Sequence, residues 1–325
     1  MRVILWVVLA LGVLWAGYWV VGSRMIEGGV ADWFAHADAQ GIEATQDGIA
    51  VAGFANRFDV TVTKPQLRDV ATGWGWQAPF VQVLAMTWKP WHVIAALPHT
   101  QTITLPGQAV EVQSTKLEAS VRLMPSADLP LAEVVVEGQD LQAVSDLGWQ
   151  VAAKSVVAAM ARDGVTGQRL GLDMVDVTPD PALVAQLPDL GGVISRVHLD
   201  ATLTLSAPLD RHMAQVQPRV TAVSLADFKL VWGKLVITAK GDVAPRADGL
   251  AEGKVAFRLQ NWRSIPPLLV QTGLVLPGMG DTITRGMDIL AQSGPDPELL
   301  EIDLVFAGGR MMLGPLPLGP APRLN

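Results

Sequence analysis

The chain has 325 residues, half of them apolar and 17% charged, with 31 acids against 24 bases and no cysteine. That length fits one or two domains with ample material for a core, and the composition excludes a disordered chain. The acidic balance lacks the electrostatic footprint of a nucleic-acid binder. The missing thiols exclude disulfides, zinc–thiolate sites, iron–sulfur clusters and cysteine nucleophiles.

Val3 to Val21 is a run of nineteen residues without a charge. As a helix it spans roughly 28 Å, close to the ~30 Å hydrocarbon thickness of a bilayer. Trp15, Tyr18 and Trp19 gather at its C-terminal end, where amphipathic rings settle at headgroup level, and are the expected membrane-interface aromatics. A cleaved signal peptide is the competing reading. Its apolar region is shorter, about 7–15 residues, and ends in a small-x-small site that Ala16-Gly17-Tyr18 fails to supply. The expectation is an uncleaved single-pass anchor over residues 1–23, partnered with the lipid bilayer, then a juxtamembrane segment over 24–47. Arg2 and the amino terminus favour an inside N-terminus, with Arg24 opposing. This places the anchor in the inner membrane and the C-terminal body in the periplasm.

From about Ile49 onward the dominant period is two. Phe58, Val60 and Val62 alternate with Asp59, Thr61 and Thr63; Leu117 to Leu123, Leu199 to Leu205, Val255 to Leu259 and Leu300 to Phe306 repeat the device. Such strands carry one apolar and one polar face, as in an antiparallel sheet wet on one side. Phe80–Trp88 departs from this, since both of its alternating sets are apolar, and it reads as a strand covered on both faces. Leu105-Pro106-Gly107 and Ala247-Asp248-Gly249 mark turns, the second a hairpin between Leu235–Val243 and Leu250–Leu259.

Helices are fewer. Short ones are expected at Asp32–Gln40, at Ala182–Leu187 after Thr178-Pro179-Asp180-Pro181, at Leu268–Leu274 after Ser264-Ile265-Pro266-Pro267, and at Asp281–Gln292. Trp149–Arg162 is alanine-rich, which favours a helix, but its strand neighbours and Val156-Val157 lean it to strand. Gly314–Pro322 holds too many prolines for regular structure and reads as extended.

No nucleophile elbow, zinc-protease motif or P-loop occurs, and Gly278-Met279-Gly280 lacks the third glycine of a dinucleotide fingerprint. The five histidines are scattered at 36, 92, 99, 198 and 212, and neither His92 nor His99 has an acid at ligand spacing. Asp173, Asp176 and Asp180 form the densest acidic group, and a helix cap at Asp180 is a simpler account than a calcium site. No metal, cofactor or catalytic residue is expected. Trp74, Trp76, Trp88 and Trp91 read as a packed corner, with membrane- or ligand-facing rings the alternative. Arg57 and Asp59 read as a solvated charge pair.

Gly53–Val62 (GFANRFDVTV) and Trp76–Ala85 (WQAPFVQVLA) resemble the DUF2125 family of uncharacterised proteobacterial envelope proteins. Val231–Leu235, Gly241-Asp242 and Gly249–Val255 resemble it too, so the match spans most of the chain. The resemblance implies an anchored envelope protein; the family brings no known activity and no catalytic residues. The glycine-punctuated hairpins are more loosely similar to AsmA-like periplasmic proteins, which implies a long curved sheet sheltering lipid tails.

The expected fold is mainly β: long twisted antiparallel sheet, or two continuous sheets, with a few flanking helices after one transmembrane helix. A first β-rich half runs over 48–190 and a second over 191–325, with helices near 264–292. The leading functional reading is a non-catalytic protein that binds or shuttles lipid or acyl chains in an apolar trough. Its expected lining is Leu199, Leu203, Leu205, Val255, Phe257 and Leu259, which would otherwise be ordinary core. The alternatives are a scaffold for an envelope assembly with a closed core, and an enzyme of unrecognised type.

Overall fold

A computed structural model describes residues 1–273, 278, 280–292, 294–314 and 316–324. Leu274, Met279 and Pro315, which belong to three of the segments named above, lie outside the described residues. One helix, Arg2–His36, runs without interruption and passes into a 3₁₀ turn at Ala37–Gln40. The apolar run and the short helix expected at Asp32–Gln40 are thus parts of one rod. No proline follows Val21 to break it, and Arg24 pairs with Glu27 one turn on, at 3.7 Å.

By contacts, the chain divides into two compact units. The first comprises Met1–Pro125 and Val134–Trp149, the second Ser126–Glu133 and Gln150–Asn325. In the first, Gly48–Ala52, Arg57–Thr63, Phe80–Met86, Lys89–Ala96 and Lys116–Leu123 pair in that order, all antiparallel. A second run pairs Ile42–Thr45, Gln66–Asp69, Gly75–Gln77, Thr100–Leu105 and Gln108–Gln113, and then the end of Leu131–Ser145. Arg57–Thr63 buries Phe58, Val60 and Val62, the alternation its sequence carries. Phe80–Met86 is not covered on both faces: Phe80 and Met86 are exposed and the residues between are at most half-buried.

The second unit is a meander. Gln150–Asp163, Gly167–Thr178, Ile194–Leu205, Val220–Trp232, Leu235–Pro245, Ala251–Gln260, Leu299–Ala307 and Arg310–Leu313 pair each with the next. The alanine-rich segment is therefore a strand. Asp248-Gly249 closes the expected hairpin, with the Gly249 amide donating to Arg246 O at 2.9 Å and a φ of 81° that favours glycine. The proline-rich tail is more regular than expected. Leu316–Pro320 pairs with Arg310–Leu313 at the sheet edge, where a missing ladder donor is tolerated.

Helices Pro181–Ala185, Ile265–Gln271 and Gly280–Gln292 pack on one end of this sheet. Leu235, Leu259, Trp262, Met287 and Leu300 form the buried cluster there, joined from the helices by Leu183, Leu268 and Ile283. Each such side chain contributes roughly 1.5–3 kcal/mol by leaving water. A smaller cluster forms around Ala251, Phe306 and Ala321. The turn residues Pro188–Leu190 lie inside this second unit, where Leu190 is buried.

Candidate functional site

Residues opposite one another in an antiparallel pair share a sheet face. The registers of the second unit therefore assemble apolar rows across six strands. One row is Met174, Val197, Leu230, Ile237, Leu259 and Leu300; the next is Leu172, Leu199, Phe228, Ala239, Phe257 and Ile302. A third is Leu170, Ala201, Leu225, Gly241, Val255 and Leu304. Period-two alternation in each strand yields this face without a single charged residue in the three rows.

The face has two parts. Leu259, Leu300 and Ile302 belong to the cluster under the helices, with Phe257 packed against it, and Val255 packs against the smaller cluster. Leu170, Leu172, Met174, Leu199, Leu225 and Phe228 belong to neither cluster and are half-buried. Leu203 and Leu205 continue this second part, opposite Val223 and Val220. Of the six residues expected to line a trough, three therefore sit beneath packed helices or tail and three, Leu199, Leu203 and Leu205, on the half-buried stretch outside both clusters. Leu203 also lies opposite Gln168, 2% exposed, whose Oε1 has no hydrogen-bond partner among the described residues.

The opposite face of the same strands is polar. Arg169 grips Asp200 at 2.9 and 2.6 Å, Arg196 grips Asp173 at 2.9 and 2.7 Å, and Lys254 meets Asp303 at 3.1 Å. A shallow depression of about 640 Å³ on this side is bordered by Asp227, Lys240, Arg258 and Glu301. Hydrogen bonding from Arg196 holds the Asp173 carboxyl below the usual carboxylate range, and Arg169 does the same for Asp200; partial burial opposes both. A carboxylate whose folded pKa is depressed adds stability above its unfolded pKa, and that stability disappears as the pH falls through the folded value. Urea unfolding is therefore expected to be flat near neutrality and to weaken below about pH 4. R169Q and R196Q should flatten that acid limb by a small amount, since both pairs face water.

Asp180 caps the helix Pro181–Ala185, accepting from the Ala182 amide at 2.8 Å, and also accepts from the Gln150 amide at 2.9 Å. Among the described residues no group of three or more His, Asp or Glu side chains converges as a metal site. The tryptophan cluster is not one packed corner. Trp76 is half-buried and donates to Gln101 Oε1 at 2.6 Å, whereas Trp74 and Trp88 are both 55% exposed.

The helix aromatics have protein partners that their sequence does not announce. Trp15 Nε1 donates to Ala55 O at 2.9 Å, Tyr18 Oη to Thr87 O at 3.0 Å, and Trp19 Nε1 to Arg57 O at 2.7 Å. Tyr18 and Trp19 also flank the Phe58 ring, at 6.3 and 6.2 Å between centroids. Gly22 makes room for that ring, because a Cβ there would lie 2.8 Å from Phe58 Cζ.

The later part of the helix, the strands of both units and the apolar face fall within one family match. The family described as an uncharacterized protein conserved in bacteria, DUF2125, matches residues 19–322. The chain belongs to the DUF2125 family. None of the curated proteins matches it, and none of the solved structures does. Among its described residues this DUF2125 chain carries one helix long and apolar enough to cross a membrane, near its N-terminus.

Proposed function

We propose that this DUF2125 protein is a single-pass inner-membrane protein whose body, in the periplasm, holds an acyl chain on the uncovered apolar face of its second unit. It serves the cell envelope by binding lipid and catalyses no reaction. The observation that carries this reading is the stretch formed by Leu170, Leu172, Leu199, Leu225 and Phe228, which continues a helix-covered core yet belongs to neither buried cluster. Burying a methylene against such a surface yields about 0.8 kcal/mol, so ten supply on the order of 8 kcal/mol before ordering costs. On the opposite face Arg169, Arg196 and Lys254 are each paired with a carboxylate, which suits a binding sheet better than a reaction centre.

The test is photolabelling of the full chain in nanodiscs with a diazirine fatty acid, read by peptide mass spectrometry. Crosslinks are expected in Gly167–Thr178 and Ile194–Leu205, and the L172D/L199D variant should lose them while keeping its β-sheet circular dichroism. Label confined to the N-terminal helix would overturn lipid holding and leave the face as a docking surface for a protein of an envelope assembly.

A further inference from the structure

We infer that the tip of the first unit, the loop Gly53–Arg57 with Thr87 and Trp88, is seated in the membrane interface beside the anchor. The inference rests on the reading that the N-terminal helix spans a bilayer. Trp15 and Trp19 lie inside the uncharged run that ends at Val21, and their indoles donate to Ala55 O and Arg57 O. At 1.5 Å per residue, Trp15 stands roughly 9 Å inside the end of that run. The loop that it holds shares its depth.

Two further observations make that depth tolerable. Backbone polar groups that leave water need internal partners, and the tip supplies them to five of its carbonyls. The carbonyls of Gly53, Ala55, Asn56, Arg57 and Thr87 all accept hydrogen bonds: Asn56 and Arg57 amides bond Gly53 O, Thr87 bonds Asn56 O, and the three helix aromatics take the rest. The side chains that remain outside are those an interface accepts. Phe54 is 65% exposed, with its ring edge-on to Trp19, and Trp88 is 55% exposed. Arg57, paired to Asp59 at 2.8 Å, has the length to reach phosphates at the rim. In water, two exposed rings on one tip would be a liability; against headgroups they add buried apolar area.

Because the chain has no cysteine, each introduced thiol is unique. Bimane placed by L9C, F54C, W88C or V70C in the full-length protein, in vesicles with and without doxyl-labelled phosphatidylcholine, reads depth as loss of fluorescence. Val70 is the aqueous reference, since its amide bonds Gly41 O beyond the far end of the helix, at 3.0 Å. Quenching at L9C, F54C and W88C but not at V70C is the expected result. Quenching at L9C alone would overturn the seated tip and leave the anchor intact. No quenching at L9C would overturn the anchor, and the seated tip with it.

Discussion

Replacing Trp262 by alanine is expected to remove about 3–5 kcal/mol from the stability of the second unit, the range for truncating a fully buried aromatic. Trp262 is 0% exposed and lies between the strand Ala251–Gln260 and the helix Ile265–Gln271. Its Nε1 donates to Pro297 O at 3.1 Å, so it ties the end of that strand to the segment entering Leu299–Ala307 as well as filling the cluster. The reference variant is W262F, which keeps most of the packing and gives up a hydrogen bond worth about 1 kcal/mol. Urea titrations of the full chain in one detergent compare the three. A loss under about 1 kcal/mol for W262A would mean that the helices do not close on a packed core. The alanine variant also bears on the lipid reading: with the helices loosened, photolabel should spread from Ile194–Leu205 onto Ala251–Gln260.

A methyl group at Gly253 is expected to cost about 2–4 kcal/mol, combining overpacking with a backbone that side chains avoid. Gly253 has φ 141°, and a Cβ there would fall 2.1 Å from Asp242 O; on the neighbouring strand, a Cβ at Gly241 would fall 2.1 Å from Lys254 O. Both obstacles are backbone, so relief requires the pair Leu235–Pro245 and Ala251–Gln260 to part. Gly171, also within a strand, has nothing within 4 Å of its notional Cβ and provides the contrast. G171A should unfold within about 0.5 kcal/mol of the natural chain, and G253A well before it, in the same titration. Equal behaviour of the two would show that the strand pair yields without cost.

Much of this architecture is written in alternation. Leu199, Ala201, Leu203 and Leu205 face one way because polar residues separate them, and the structure pairs all four with apolar residues of Val220–Trp232, and Leu199 and Ala201 with leucines of Gly167–Thr178 as well. Trp149–Arg162 shows where local preference loses: alanines that favour a helix lie in the strand Gln150–Asp163, since Gly167–Thr178 offers it a full ladder. Coverage is harder to read than direction. Phe80–Trp88 is apolar in both alternating sets, yet a run of side chains does not encode whether a second layer exists, and Phe80 and Met86 remain exposed. The same limit applies to Trp74 and Trp88. The apolar rows depend on registers that shift at irregularities such as the one between Asp200 and Ala201, which no periodicity marks. The bonds from Trp15, Tyr18 and Trp19 join residues 38 to 69 positions apart, and only the small Gly22 opposite Phe58 hints at the contact.

The unbroken rod Arg2–His36, bonded to the first unit along its flank, leaves that unit no swivel. A cargo carrier on a slack tether can sweep out a volume and cross a gap, with a reach that grows with tether length. A first unit clamped to its own mast has a fixed height and heading instead. Whatever meets the first unit must therefore come to it, at a height that the stem and not a slack linker decides.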